Sequence, residues 1–375
     1  MIGSLFHFGS TFIDYALAFL LLITPVVFFH ELGHFSVARL FGVKVETFSI
    51  GFGPAIASWV DRKGTRWKIS WFPLGGYVKF LGDLDAASTP DRERLDKMSD
   101  EERAGAFPYK PLYQRALIVA AGPLANFVLA IAVFAIFFLI FGGTITRPVV
   151  NQVIHGSVAE AAGFKVGDLI TEVAGRDVDS FDDVAMIVSM RPGVPMDIAI
   201  ERHGARIVLH ATPKIVVFKD PLGETETVGR LGLSAVPKAV TYGPVGAIRE
   251  ACRLTWSIVR TTLDLRTQIF AGTPGAVSQL HGPLGIATIA GKVASISFLS
   301  LIKLAALISV SIGLVNLFPI PILDGGHLLY YGCEAVLGRP LGARAQELGF
   351  RLGLAVILGL MVLATWNDLV RLNLF

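Results

Sequence analysis

Residues 15–40 read YALAFLLLITPVVFFHELGHFSVARL. The run from Tyr15 to His30 is apolar but falls short of the roughly 20 residues that cross a hydrocarbon core. It reaches that length only if one helix continues through Glu31 and His34 to about Leu40, which places His30-Glu31-Leu32-Gly33-His34 at membrane depth. On a helix, positions i and i+4 share a face, so the two imidazoles reach one metal ion with Glu31 beside it. A five-residue pattern of this kind also arises by chance in soluble helices. Within an apolar span, however, each ionisable group costs about 2.5–3.5 kcal/mol to insert, and three in five residues call for a compensating role.

The rest of the chain agrees with a membrane setting. Of 375 residues, 53% are hydrophobic and 17% charged, and the mean hydropathy is +0.61. Soluble chains carry about a quarter charged residues. Ala116–Phe141 and Leu304–Leu323 are uncharged throughout, and Leu352–Asn367 is a shorter apolar run. A net charge of +3 with no basic stripe gives no reason to expect nucleic acid. Cys252 and Cys333 are isolated, which excludes a disulfide framework. The first span lacks a basic n-region and a small-residue cleavage site, and is expected to be retained rather than removed as a signal peptide.

Lys and Arg set the expected orientation. Residues 1–38 contain none, whereas Arg39–Arg115 holds thirteen, and Arg339, Arg344 and Arg351 lie between the last two spans. The N-terminus, the central region and the C-terminus are therefore expected outside, and the Arg39–Arg115 loop in the cytoplasm. In that loop Thr65–Phe72 alternates, with Trp67, Ile69 and Trp71 on one side and Arg66, Lys68 and Ser70 on the other. This period of two predicts a half-buried strand paired with Ala55–Val60 through the Asp61–Gly64 turn, its Trp-rich face suited to a bilayer interface. The charged run Asp83–Ala106 reads as a surface loop. From about Thr144 to Lys214, short strands at Pro148–Ile154, Leu169–Val173, Met196–Glu201 and Ala205–Ala211 surround a helix at Asp182–Met190. Ala247–Phe270 is mildly amphipathic and suits a membrane surface.

A catalytic zinc takes three protein ligands, keeps an open position and lowers the pKa of its water to about 7. Glu31 is placed to take the proton and pass it to the leaving amine. Asp324 is the best candidate for the third ligand. It follows twenty uncharged residues, and Pro319, Pro321, Gly325 and Gly326 around it break the helix and permit an irregular turn. Irregular backbone at membrane depth is tolerated where protein or a cavity satisfies it. His327 is either a partner to this group or a helix-end histidine, and the latter is favoured. Asn316 is a polar residue on the same span, able to hold a substrate carbonyl or bridge to another helix.

His30–His34 and the run from Asn316 to Gly326 together resemble the two signatures of the site-2 protease family of intramembrane zinc metalloproteases. Gly51–Pro54, Gly75–Val78, Gly122–Asn126 and Gly282–Ile286 resemble the bacterial regulator-of-sigma-E protease branch, so the resemblance spans nearly the whole chain. Gly156–Gly163 and Val166–Ile170 resemble a PDZ domain, and the length allows one. Ala174-Gly175 replaces the usual Asn-Gly turn.

The fold implied is a polytopic α-helical membrane protein with about four transmembrane helices, membrane-associated β-hairpins and an inserted β-rich PDZ domain. Its parts are a first span at 1–40, a cytoplasmic loop at 41–111, a second span at 112–142 and the PDZ domain at 144–215. A periplasmic and interfacial region at 216–297 follows, then a third span with the Asp loop at 298–324, a cytoplasmic loop at 325–345 and a fourth span at 346–368. The resemblance implies Zn2+ on His30, His34 and Asp324, with Glu31 as catalytic base and Asn316 helping to hold substrate. It also implies single-pass membrane substrates, such as anti-sigma factors already cut outside the membrane, and residence among the lipids of a bacterial inner membrane.

A helical substrate must unwind before its peptide bonds are open to attack. The strand near Gly75, Gly76, Tyr77 and Val78 offers an edge for holding it. Two other readings take the same residues: a catalytically silent membrane adapter binding peptides through the PDZ domain, and an ion-coupled transporter using Glu31 and Asp324. An intact Glu31 weighs against the first. The lack of an inverted repeat or paired broken helices weighs against the second.

Overall fold

A computed structural model describes residues 2–83, 92–219, 225–270 and 282–371. The chain opens with α1 (Ile2–Leu40), the strands β1 (Val45–Val60) and β2 (Arg66–Phe80), the short helices α2 (Arg92–Asp96) and α3 (Asp100–Gly105), and α4 (Leu112–Phe141). Next come β3 (Gly143–Ile145), β4 (Gln152–Val153), α5 (Val158–Ala161), β5 (Leu169–Val173), β6 (Arg176–Asp177) and α6 (Phe181–Ser189). Strands β7 (Met196–Arg202), β8 (Ala205–Ala211), β9 (Lys214–Lys219), β10 (Thr225–Arg230), β11 (Leu233–Ser234) and β12 (Lys238–Val240) follow. Helices α7 (Pro244–Phe270), α8 (Pro283–Ile296), α9 (Phe298–Asn316), α10 (Asp324–Leu337) and α11 (Ala343–Arg371) complete it. Two compact units result, one of residues 1–136 and 248–375, the other of residues 137–247.

In the first unit, four helical segments are long and apolar enough to cross a membrane: Ile13–Leu40, Leu112–Phe141, Phe298–Asn316 and Arg344–Val370. Leu22 and Ala18 of α1 pack with Ala290 of α8 and Leu301 of α9 in one apolar cluster. A second cluster joins Phe35 and Ala38 of α1 to Phe48, Val78 and Phe80 of the sheet and Ile118 of α4.

The hairpin expected around Asp61–Gly64 forms, with Val60 opposite Arg66 and Trp59 opposite Trp67. The Asp61 carboxylate accepts from Lys63 N (2.9 Å), Thr65 N (3.0 Å), Trp67 Nε1 (3.2 Å) and Arg39 Nη2 (2.5 Å). Burial works against its charge, yet these donors hold the carboxyl down at about 2. The burial pattern departs from the alternation read from sequence. Ser70 is buried beside Ser49, while Trp71 and Phe72 are 65% and 60% exposed. The reason is that β2 folds back: Phe48, Ser49 and Ile50 of β1 pair with Trp67, Lys68 and Ile69 on one side and with Val78, Tyr77 and Gly76 on the other. Residues 48–50 of β1 thus lie between two stretches of β2, residues 67–69 of β2 lie between two stretches of β1, and Trp71 and Phe72 stay exposed.

The charged run read as a loop is helical where it is described. Ser99 caps α3, its side chain accepting from Glu102 N while Glu102 answers to the Ser99 backbone, and Leu95, Met98 and Ala106 are buried. Residues 84–91 of that run, and His281, lie outside the described residues.

The second unit is built on a sheet in the order β6-β5-β7-β8. Ile170, Val173, Ile198 and Ile200 are fully buried and pack against Val184, Ile187 and Val188 of α6. Asp197 and Glu201 are exposed on either side of Ile198–Ile200, and Ala199 between the two isoleucines is buried as well. Sequence reading ended this region at 215. The unit runs on to Ala247, because β11 returns to pair with β4 and β12 with β3.

Candidate metal centre

The centre is assembled where α1 crosses α4. The crossing is close: a Cβ on Gly33 would lie 2.2 Å from the Ala121 carbonyl oxygen, and one on Gly122 would lie 2.2 Å from His34 Nε2. Only glycine fits either place. His30 and His34 project from one face of α1, and their rings meet edge to face at 4.9 Å between centroids. The His34 Nδ1–H donates to the Ile118 carbonyl at 2.9 Å, so Nε2 is its lone-pair nitrogen.

Asp324 arrives from the other end of the chain. Between α9 and α10 the backbone bends through Pro319 and Pro321, with Ile322 held at φ +103°. A β-branched residue there is a true outlier that the surroundings must enforce. Gly325 and Gly326 let the turn close on itself, since a Cβ on either would sit 2.2–2.4 Å from the carbonyl oxygens of Phe318, Leu317 or Ile320. Asp324 is the first residue of α10, where a carboxylate meets the positive end of the helix dipole.

Three side chains then converge. His30 Nε2 lies 3.2 Å from Asp324 Oδ2, His34 Nε2 lies 3.6 Å from Asp324 Oδ1, and the two Nε2 atoms are 3.3 Å apart. Ligands at about 2.0–2.1 Å around a tetrahedral zinc stand about 3.3 Å from one another. Nitrogens and a carboxylate oxygen this close are held together by a shared proton or by a cation among them. The donor set and its spacing therefore fit zinc, and these three form the one such His, Cys, Asp and Glu group among the described residues.

Glu31 is turned toward the sheet. Its carboxyl lies near the Val78 backbone, and a Cβ on Gly76 would lie 3.1 Å from Glu31 Cγ. Gly76, Tyr77 and Val78 pair with β1 on one side only among the described residues, so this edge runs beside Glu31. Asn316 sits partly exposed at the end of α9, and no hydrogen bond joins it to the converging groups among the described residues. His327 is partly buried one turn into α10, outside the converging set.

Arg115, which closes the cationic stretch expected in the cytoplasm, has a second part here. It holds Glu334 of α10 at 2.5 and 3.2 Å and lies over the Tyr331 ring at 5.0 Å. This ties the helix that begins at Asp324 to the start of α4. A lone basic residue at the edge of an apolar span was the available signal.

An HExxH helix completed by a distant carboxylate defines the class of mononuclear metallohydrolases. Residues 18–360 match peptidase family M50. The chain is 47% identical to a protein of Rhizobium meliloti named as a zinc metalloprotease, over 94% of this chain and 95% of that one. It is 45% identical to a similarly named protein of Agrobacterium fabrum, over 95% of each. Identity to the metalloprotease MmpA of Caulobacter vibrioides is 42%, over 97% of each. A solved PDZ domain of an SdrC-like protein from Listeria monocytogenes is similar to 25% of this chain and 87% of its own, at 22% identity and a TM-score of 0.19. The chain belongs to peptidase family M50 and is a zinc metalloendopeptidase.

Proposed function

We propose that this endopeptidase works inside the bilayer, cutting transmembrane segments of single-pass proteins, with His30, His34 and Asp324 as its zinc ligands. The observation that carries the reading is the place of the three converging side chains. Both histidines lie within Ile13–Leu40, a helical segment long and apolar enough to span, and Asp324 follows a second such segment by eight residues. Zinc held there supplies Lewis acidity toward the scissile carbonyl and an acidified water at neutral pH.

Glu31 acts as general base and returns the proton to the leaving nitrogen. The edge at Gly75, Gly76, Tyr77 and Val78 holds the unwound substrate by its backbone, which brings the peptide next to Glu31. Asn316 helps to hold the substrate. The exposed Trp71, Phe72 and Trp59 suit the interfacial level of a membrane.

The spans are those at 1–40, 112–142, 298–324 and 346–368, in a bacterial inner membrane, with both termini and the central unit on the periplasmic side. The central unit serves as a PDZ domain that binds peptide, and anti-sigma factors trimmed by an earlier cut are the substrate type. Cleavage of a model single-pass segment by purified protein tests this, with Glu31→Gln beside wild type and zinc measured in both. A variant that keeps zinc and does not cut supports the reading. A wild type that binds zinc and cuts none of a panel of such segments overturns it in favour of an adapter.

A further inference from the structure

Helix α4 offers α1 three groups four residues apart: the Ile118 carbonyl, the bare Cα of Gly122 and the side chain of Asn126. They meet His34 and His30, which are also four apart. Ile118 accepts from His34 Nδ1, and Gly122 clears room for that ring. Asn126 is fully buried, its amide nitrogen placed 3.3 Å from His30 Nδ1 and its Oδ1 without a partner. Ser309 Oγ donates to the Asn126 carbonyl at 2.9 Å, which fixes this turn of α4 against α9.

We propose that Asn126 is the positioning residue for His30, presenting its Oδ1 to the Nδ1–H. The proposal rests on the reading that His30 and His34 bind zinc through Nε2. The two ends of a carboxamide are told apart only by their hydrogen bonds. With nitrogen toward His30, Nδ1 must accept, and Nε2 carries its proton into the cluster with Asp324 and His34. With oxygen toward it, Nδ1–H donates and Nε2 turns a lone pair on that cluster, as Ile118 already arranges for His34. Outer partners of this kind fix tautomer and ring orientation at metal sites. The carboxamide orientation therefore sets which nitrogen of His30 is the ligand.

The test measures zinc affinity of the full-length protein by chelator competition, with thermal unfolding followed in parallel. Asn126→Leu keeps the volume and loses the acceptor, and zinc binding should weaken about 10–100-fold. Asn126→Asp keeps the acceptor and should stay within a few-fold of wild type. Asn126→Ala replaces the Leu variant if that one unfolds. Equal affinity in the Leu and wild-type proteins overturns the proposal. Equal weakening in the Leu and Asp variants also overturns it, because packing alone would explain that result. His30→Ala and His34→Ala are run alongside. If they bind zinc like wild type, the ligand assignment itself fails, whatever Asn126 does.

Discussion

Replacing Gly122 by Ala adds one methyl group at the point where α4 passes against the His34 ring. The new Cβ would stand 2.2 Å from His34 Nε2, 2.5 Å from Cε1 and 2.8 Å from Cδ2. Ordinary contact begins near 3.4 Å, so ring or helix must yield by about 1.2 Å. The ring has little freedom, since Nδ1 is held by the Ile118 carbonyl and Nε2 by the Asp324 cluster. The helix has little either, because Gly33 already touches the Ala121 backbone. Active groups work within about 0.5 Å of their productive geometry, and a 1 Å displacement can cost about 100-fold in rate. Turnover of a single-pass substrate by Gly122→Ala should therefore fall about 100-fold, equivalent to about 2.7 kcal/mol of barrier, with weaker zinc binding. Gly332→Ala, where a Cβ meets nothing within 4 Å, should cut normally. A Gly122→Ala protein that keeps wild-type turnover and zinc affinity would refute the argument that this crossing shapes the site.

Further outcomes follow from single contacts. Arg115→Ala leaves Glu334, 15% exposed, without its partner, and should lower stability by about 3 kcal/mol in thermal or denaturant unfolding. Ala174 sits at φ +51° before Gly175 at +77°, a turn in which Asn relaxes where Ala strains. Ala174→Asn should thus stabilise the second unit by about 1 kcal/mol, read from hydrogen exchange of β5. In the same unit Asp168 is 1% exposed and accepts two hydrogen bonds from Arg202, at 2.7 and 2.8 Å. Burial opposes its charge, but Arg202 and the Lys165 N–H hold the carboxyl below the usual carboxylate range. The native state therefore binds the proton less readily than the unfolded chain. This stabilisation is full above the ordinary carboxylate pKa and lost as pH falls through the lowered value. Acid unfolding followed by hydrogen exchange of β5 and β7 should show that loss, and Arg202→Ala should weaken the dependence, the Lys165 N–H remaining.

The short-range features of this protein were written in its sequence. The four-residue spacing of His30 and His34 puts both rings on one helix face whatever surrounds them. The prolines and glycines around Asp324 break any helix there by removing donors or freeing the backbone. Strand β8 alternates between exposed and half-buried residues, a period that needs no partner to be seen. The Ser99–Glu102 capping box was equally local, and it marks the start of α3 at Asp100.

Tertiary structure decided what depends on two distant segments meeting. Alternation along Thr65–Phe72 does not reveal that Ser70 is buried against Ser49, because each strand pairs with two stretches of the other. Asn126, Gly122 and the Ile118 carbonyl gain their significance from standing 84–96 residues away from the histidines they touch. A helix pattern records which face is apolar, and does not record which turn of it a second helix will cross. Those contacts exist only because Gly33 and Gly122 let two backbones approach at one place, a fact that belongs to the pair of helices and to neither sequence alone.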